Sequence, residues 1–316
     1  MSSQAWTNTT DDSMGLVEKM LLVTLTTISC CIFLIINVIM LFTLRSRPVF
    51  RETCRYILLY NLLFADTVQI AVSQLLYILS VCRIMLTYPV CGVFVMVANL
   101  TSEISPLTLV VMSLERYVAV CYPLRHTTII TIRNTGAAIT AVWAFCSLNT
   151  GVRVLLLLQF PFEQLQSLQM KQFCSTFLMF LTPVTVDYDK AYTCFLFVSA
   201  GLSVISSYIG VIIAARSAST DKASARRARN TLLLHLVQLC LILSSTIHNP
   251  LLIAASNVVT RTMLIRIQNI LYVFIIVLPR CLSALIYGIR DKTIRPVLLY
   301  YLCCRLKLSV VTVTER

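Results

Sequence analysis

The chain has 316 residues, of which 58% are hydrophobic and 12% charged, with 26 Lys and Arg against 13 Asp and Glu for a net charge of +13; its mean hydropathy is +0.84. Soluble globular proteins carry about 25% charged residues, so too few polar groups remain to coat a water-facing surface. A soluble fold of one or two domains is excluded, and lipid must be the solvent for much of the molecule.

A helix needs about 20 apolar residues to cross the hydrocarbon layer. Seven stretches qualify, near residues 20–44, 55–81, 90–117, 134–158, 190–215, 229–255 and 264–288. The expected fold is an all-α membrane protein, one seven-transmembrane helix bundle over residues 1–316 with a short amphipathic C-terminal interfacial helix. The links are too short for a second domain, and no internal repeat is visible.

Residues 1–19 are polar and acidic, without the basic-then-apolar order of a cleavable signal, so the first span is expected to act as the membrane address. Asn8-Thr9-Thr10 fits the N-x-[ST] glycosylation pattern. Asn99-Leu100-Thr101 fits it too, but lies within the third span and is discarded. The first span carries Asn37, and the second reads Asn61-Leu62-Leu63-Phe64-Ala65-Asp66. The third ends in Glu115-Arg116-Tyr117, followed by Pro123, which breaks the helix for want of an amide hydrogen. An arginine at membrane depth needs a partner, and Glu115 is the nearest. The fourth span carries Trp143, and the loop expected at 159–189 holds one cysteine, Cys174. The fifth span carries Ser207-Tyr208, the sixth begins after Arg227-Ala228 and carries His235, and the seventh contains Arg280 and Tyr287. Beyond it, residues 291–304 alternate basic and apolar positions as an interfacial helix does. Cys303 and Cys304 there are candidate palmitoylation sites.

An odd number of crossings puts the termini on opposite sides. With the N-terminus outside, the inner face holds 18 Lys and Arg against five acids, and the outer face seven against six. That is the positive-inside distribution. It accounts for the basic charge by topology and removes the nucleic-acid reading. The 13 cysteines include no C-x-x-C and no zinc-like spacing with the three histidines, so no metal or cofactor is expected.

The string MSLERYVAVCYPLRH at 112–126 resembles the D/E-R-Y region of rhodopsin-like G protein-coupled receptors. It resembles most the odorant receptors of the fish-type branch, with Ser113-Leu114-Glu115 where mammalian receptors have A-Y-D. Asn61 to Asp66 looks like the family's N-L-x-x-A-D. Asn37, Trp143, Ser207-Tyr208 and Arg227-Ala228 with His235 fall in the family's order, and Leu278 to Arg295 looks like its N-P-x-x-Y region. Tyr287 is kept there, while Ser283 and Ala284 replace the usual Asn and Pro. The resemblance covers roughly residues 20–300.

The resemblance implies an odorant receptor that binds a small organic ligand and activates a heterotrimeric G protein, of the stimulatory or olfactory type that raises cyclic AMP. Coupling would rest on Glu115, Arg116, Tyr117, Tyr208, His235 and Tyr287. It implies a disulfide between Cys91 and Cys174. Cys91 lies 25 residues before Arg116, about 37 Å of helix, which places it at the oxidising outer face with the loop cysteine. Further partners implied are membrane lipid, arrestin and a receptor kinase, in the plasma membrane of the cilia or dendrites of olfactory neurons.

The ligand pocket is expected in the outer half of the bundle among spans three, five, six and seven. Its candidate lining is Asn99, Ser102 and Glu103, which share neighbouring parts of one helix face, with Tyr192, Thr193, Leu196, Thr246 and Tyr272. Asp66 belongs to a sodium site in many family members. Here Arg280 is a fixed cation, and we expect an Asp66–Arg280 pair in the polar core beside Asn37, with Glu103 or a water cavity as alternative partners for Arg280. Other readings stay open at this point. A small-peptide or amine receptor of the same family is one. A transporter or channel using Asp66, Glu103 and Arg280 is another, although inverted repeats and broken helices are not evident. An enzyme is not expected, since neither H-E-x-x-H nor G-x-S-x-G occurs.

Overall fold

The computed structural model describes residues 16–82, 84–159, 169, 170, 174, 183–217, 271–291 and 293–302, with positions scattered through 230–270. Asn8, Arg227, His235, Thr246, Cys303 and Cys304 lie outside the described residues. The elements are α1 (Leu16–Ser46), α2 (Pro48–Glu52), α3 (Cys54–Val81), α4 (Tyr88–Cys121), a 3-10 turn (Pro123–Arg125), α5 (His126–Ile129), α6 (Ile132–Leu158), α7 (Pro183–Ser217), a π-helical turn (Tyr272–Val277) running into α8 (Leu278–Arg290), and α9 (Ile294–Leu302). Five of these helices are long and apolar enough to cross a membrane: Val23–Ser46, Cys54–Val81, Tyr88–Cys121, Ile132–Leu158 and Pro183–Ala214. The expected span 229–255 and the first part of 264–288 fall mostly outside the described residues.

Prolines and caps set the boundaries. A residue before proline is pushed out of the α region. Arg47 is accordingly extended ahead of Pro48 and separates α1 from α2. Tyr122, at φ −131° and ψ 57°, ends α4 ahead of Pro123. The Thr131 hydroxyl accepts a hydrogen bond from the Asn134 amide (3.1 Å) and caps α6. Asp291 does the same for α9, accepting from the Thr293 amide at 2.9 Å.

Three expected boundaries need correction. The third span continues past Tyr117 to Cys121, because nothing in Val118-Ala119-Val120-Cys121 stops a helix before the proline does. The interfacial helix begins at Ile294 rather than at 291, with Asp291 capping it from outside, and it is described as far as Leu302. The fifth span begins at Pro183 rather than at 190. Proline suits a first helical turn, where its missing amide hydrogen has no partner to lose.

The core is built where α3 meets its neighbours. Leu58, Leu59, Leu62 and Leu63 of α3 pack with Met40 and Leu44 of α1, Leu109 and Met112 of α4, Ala200 and Val204 of α7, Ala284 of α8, and Ile294 and Leu298 of α9. The outward faces are apolar as well: Leu25, Ile32 and Ile35 on α1, Leu148 and Leu155 on α6, and Leu202 and Ile213 on α7 are all exposed. Helices apolar on both faces fit a lipid surround, in which every backbone group is satisfied within its own helix. At two close approaches a Cβ would force a neighbouring side chain to move. A Cβ on Gly210 of α7 would overlap the Tyr117 ring of α4, and one on Gly288 of α8 would overlap Leu298 of α9.

Candidate functional site

Polar side chains gather at three depths along α4. At the end near Cys91, that cysteine is disulfide-bonded to Cys174, 83 residues away, with Cα atoms 5.6 Å apart. The loop strand is held further by an antiparallel bridge between Thr87 and Gln169 and by the Met170 amide donating to the Leu86 carbonyl at 3.0 Å.

Three turns further along, Glu103 sits almost fully buried at the centre of a network joining α4, α6 and α7. Its carboxylate accepts two hydrogen bonds from Asn149 Nδ2 (2.7 and 2.9 Å), one from the Tyr192 hydroxyl (3.0 Å), and an ion pair from Arg153 Nη2 (3.0 Å). The same Nη2 lies 2.9 Å from Asp189 Oδ1, and the Tyr188 hydroxyl donates to Asn149 Oδ1 at 2.6 Å. The Arg153 guanidinium also lies over the Tyr192 ring, 5.6 Å from its centroid. A buried charge is tolerated when it is paired and its remaining lone pairs are filled, and Glu103 meets both conditions.

Sequence reasoning found Glu103 and Tyr192 but missed Asn149, Arg153, Tyr188 and Asp189. The available signal was Asn149 and Arg153, spaced i, i+4 on one face of an apolar span. Asp189 was hidden by the late start expected for the fifth span.

The other expected pocket residues divide. Asn99 lines a cleft beside this network, together with Val95, Met96, Arg153, Leu156, Leu157, Thr185 and Tyr188. Ser102 turns its hydroxyl back onto the Asn99 carbonyl at 2.8 Å. Leu196 is buried on α7 and Thr193 is half-buried there. Tyr272 does not join them. Its hydroxyl donates to Gln74 Oε1 at 3.3 Å and its ring stacks on Tyr77 at 5.3 Å, within a separate apolar cluster of Cys30, Ile70, Val277 and Cys281. Tyr272 opens a π-helical turn, Tyr272–Val277.

At mid-depth, Asp66 Oδ1 accepts from Ser105 Oγ at 2.7 Å and pairs with Arg280 Nη1 at 3.1 Å. Both charged side chains are sealed from solvent, at 0% and 3% exposure. Arg280 is thus partnered by Asp66 and not by Glu103, whose cation is Arg153. One turn away, Asn61 Nδ2 donates to Thr108 Oγ1 at 2.9 Å and Trp143 Nε1 donates to Asn61 Oδ1 at 2.8 Å, tying α3, α4 and α6 together. Asn37 was grouped with the Asp66–Arg280 pair from its sequence position. It is fully buried, but neither of its amide atoms has a hydrogen-bond partner among the described residues, so it stands apart from that pair.

At the far end of α4, Arg116 Nε lies 3.0 Å from Glu115 Oε2. Adjacent helix residues do not face each other, so the long arginine side chain must wrap back to reach its neighbour. His126 of α5 approaches the other carboxylate oxygen at 3.8 Å, a contact the sequence did not suggest. Tyr117 lies against Gly210 and meets Tyr122 edge-to-face with centroids 6.1 Å apart, while Cys121 Sγ lies 3.6 Å from the Gly210 carbonyl. This end of α4 is therefore closed against α7. Tyr208 is half-buried on α7 and Tyr287 lies on α8.

Residues 36–287 match the family described as 7 transmembrane receptor (rhodopsin family). The chain is 32% identical over 274 residues to odorant receptor 131-2 of Danio rerio, covering 86% of this chain and 83% of that protein. Shorter stretches match human proteins. It is 30% identical over 113 residues to olfactory receptor 7A17 (35% of this chain, 37% of that one) and 30% over 129 residues to olfactory receptor 4N4C (40% of each). The family fold is the all-α bundle of seven membrane crossings, and its members are receptors rather than enzymes. The polar networks strung along α4 are thus those of a multi-pass membrane receptor, and the chain belongs to the rhodopsin family of seven-transmembrane receptors, in its fish-type odorant-receptor branch.

Proposed function

We infer that this receptor takes a small organic odorant at the disulfide end of the bundle and answers by opening the Arg116 end to a heterotrimeric G protein, of the stimulatory type that raises cyclic AMP. The observation that carries the reading is the closed state of α4. Glu115 holds Arg116 and Tyr117 lies against Gly210, while the only other buried ion pairs described deeper in the bundle lie far from that end.

A ligand shifts a two-state bundle by its differential affinity for the two arrangements. A hundredfold preference for the open arrangement is worth about 2.7 kcal/mol, comparable to one charge-assisted hydrogen bond. Release of the Glu115–Arg116 contact is a step of that size. Arg116 would then turn toward the G protein, with Tyr117, Tyr208, His235 and Tyr287 bordering the opened cleft.

The same reading places the N-terminus and the disulfide outside, by the positive-inside distribution. It assigns Asn8 as a glycosylation site and Cys303 and Cys304 as lipid anchors beside α9. Arrestin and a receptor kinase would act on the inner face, in olfactory cilia or dendrites. Arg280 takes the place of a mobile cation at Asp66, so sodium is not expected to modulate ligand affinity. The intramembrane charges do not favour an ion path, because each acid in the core is held by its own arginine.

The test is Arg116→Ala in full-length receptor. It is expected to reach the cell surface and still fail to accelerate guanine-nucleotide exchange or raise cyclic AMP. Wild-type signalling by that variant would refute the reading.

A further inference from the structure

Asp291 fastens α9 to the inner end of α3. Its carboxylate accepts hydrogen bonds from the Tyr56 hydroxyl at 3.1 Å and the Thr293 amide at 2.9 Å, and it lies 3.5 Å from Arg55 Nη1. Its carbonyl accepts from the Arg295 amide at 2.9 Å. The Thr293 side chain is itself hydrogen-bonded to the Tyr56 hydroxyl. Asp291 and Tyr56 are buried, whereas Thr293 and Arg295 are exposed. Ile294 and Leu298 add an apolar hold, in one cluster with Met40 and Leu44 of α1.

The chain here reads Arg290-Asp291-Lys292-Thr293-Ile294-Arg295. Bases stand three residues before, one before and two after the Thr293 hydroxyl, and Thr293 is the single Ser or Thr between Ser283 and Ser309. Topology alone puts bases at an inner end. It does not put an exposed threonine among them, nor set that threonine against the tyrosine that Asp291 holds. A protein kinase with an acidic peptide cleft selects a hydroxyl flanked by bases, by charge complementarity. Such a cleft takes an extended segment, so the first turn of α9 must open. Opening at one end of a terminal helix is a local event, far less costly than unfolding the bundle.

We propose that Thr293 is phosphorylated by a base-directed protein kinase and that the phosphate releases α9 from α3. Thr293 Oγ attacks the γ-phosphorus of ATP, the bond to the bridging oxygen of ADP breaks, and the hydroxyl proton passes to the kinase's base. The new ester carries a charge of about −1.5 to −2, two residues from the Asp291 carboxylate. It repels that carboxylate and draws Arg55 and Arg295 to itself, because charge-assisted bonds to phosphate are strong. Asp291 thereby loses Arg55, and Tyr56 loses the Thr293 hydroxyl. The proposal rests on the receptor reading only for the inner position of this segment.

The test uses purified full-length receptor in lipid nanodiscs, which leave both faces accessible. Samples are incubated with magnesium ATP and either the catalytic fragment of protein kinase C, which is base-directed, or casein kinase II, which is acid-directed. Phosphopeptides are then mapped by mass spectrometry. Phosphate is expected at Thr293 from the base-directed kinase, at a rate about tenfold or more above the other. Arg295→Gln should slow it about tenfold, the size of one lost charge-assisted contact. Thr293→Val should remove the phosphopeptide, and Thr293→Ser should restore it. The phosphorylated receptor should melt about 3 °C or more below the unmodified one. Thr293→Val, which loses the hydroxyl without gaining charge, should fall less, and Asp291→Asn should narrow the gap between phosphorylated and unmodified forms. No phosphate at Thr293, or equal labelling by the two kinases, would overturn the site. Phosphorylation that leaves the melting temperature unchanged would overturn the release of α9. Wild-type nucleotide exchange by Arg116→Ala in the same preparation would sink the receptor reading and leave both of these results standing.

Discussion

Replacing Asp66 with alanine tests the energetics of the core most directly. Arg280 is 3% exposed and donates its described hydrogen bond from Nη1 to Asp66, while its Nε has no acceptor among the described residues. Removing the carboxylate leaves the guanidinium buried and uncompensated, and breaking a buried pair from one side costs about 3–5 kcal/mol. Ser105 Oγ loses its acceptor in the same step, adding about 1 kcal/mol. Against a total stability of about 5–15 kcal/mol for a folded domain, the single variant should lose on the order of 10 °C in melting temperature and most of its surface expression. Arg280→Met alone should be nearly as damaging, because it buries an unpaired carboxylate. The double variant Asp66→Leu/Arg280→Met removes both charges, and replacing a whole buried pair with apolar groups is often neutral or stabilising. A thermal-unfolding cycle in nanodiscs should therefore give a coupling energy of about 3 kcal/mol, with the double variant close to wild type. If the two single losses simply add in the double variant, the pair does not govern stability and the reasoning fails. Sodium titration supplies a second reading on the wild type, where no change in ligand affinity is expected.

Cys174→Ser opens a loop of 83 residues, for which the chain-entropy account gives a loss of about 4–5 kcal/mol; thermal unfolding with and without reductant checks it, and the variant should no longer respond to reductant. Gly210→Val forces a side chain into the Tyr117 ring, and such overpacking costs about 1–3 kcal/mol. It destabilises the closed contact selectively, so basal nucleotide exchange should rise about fivefold or more. Gly288→Val overlaps Leu298 and should lower the melting temperature, with Leu298→Ala in the same chain recovering most of the loss.

The long helices were legible because their apolar runs are bounded by charges and prolines whose effect is local. Arg45, Arg55 and Pro123 mark ends that the structure places within a few residues. The start of α7 was not legible, because Asp187 and Asp189 look like a loop until Arg153 is known to stand opposite Asp189. Burial cost alone required partners for Asp66, Glu103 and Arg280, but it could not say which acid Arg280 would take. That choice depended on Arg153, which pairs with Glu103 and leaves Asp66 to Arg280. Tyr272 was placed with the pocket residues on no local signal, and its described contacts are with Gln74 and Tyr77 of α3. Asn37 shows a further limit, since its place in the chain implied a role in the core pair and its side chain bonds to neither member.

The three networks have one element in common. Glu103, Ser105, and Glu115 with Arg116 all belong to α4, while their partners lie on α6 and α7, on α3 and α8, and on α5. From Glu103 to Glu115 is about 18 Å of helix, too far for a ligand in the outer half of the bundle to act on Arg116 by direct contact or by unscreened field alone. Coupling has to be mechanical, carried by a helix whose neighbours are gripped differently along its length. Pro106 lies just below Glu103 and Ser105, where it removes one backbone hydrogen bond and weakens the helix against bending. Below it, Asn61 bonded to Thr108 and Trp143 ties α4 to α3 and α6. In the proposed opening, the upper part of α4 would follow the Glu103–Arg153–Asp189 network, while the part carrying Arg116 would pivot about the Asn61 contact. A fixed cation at Asp66, between the two parts, ties α8 to α3, whereas at this end the described side-chain contacts of α7 with α4 are Tyr117 against Gly210 and Cys121 Sγ on the Gly210 carbonyl, so the proposed opening would have to break those contacts and not an ion pair.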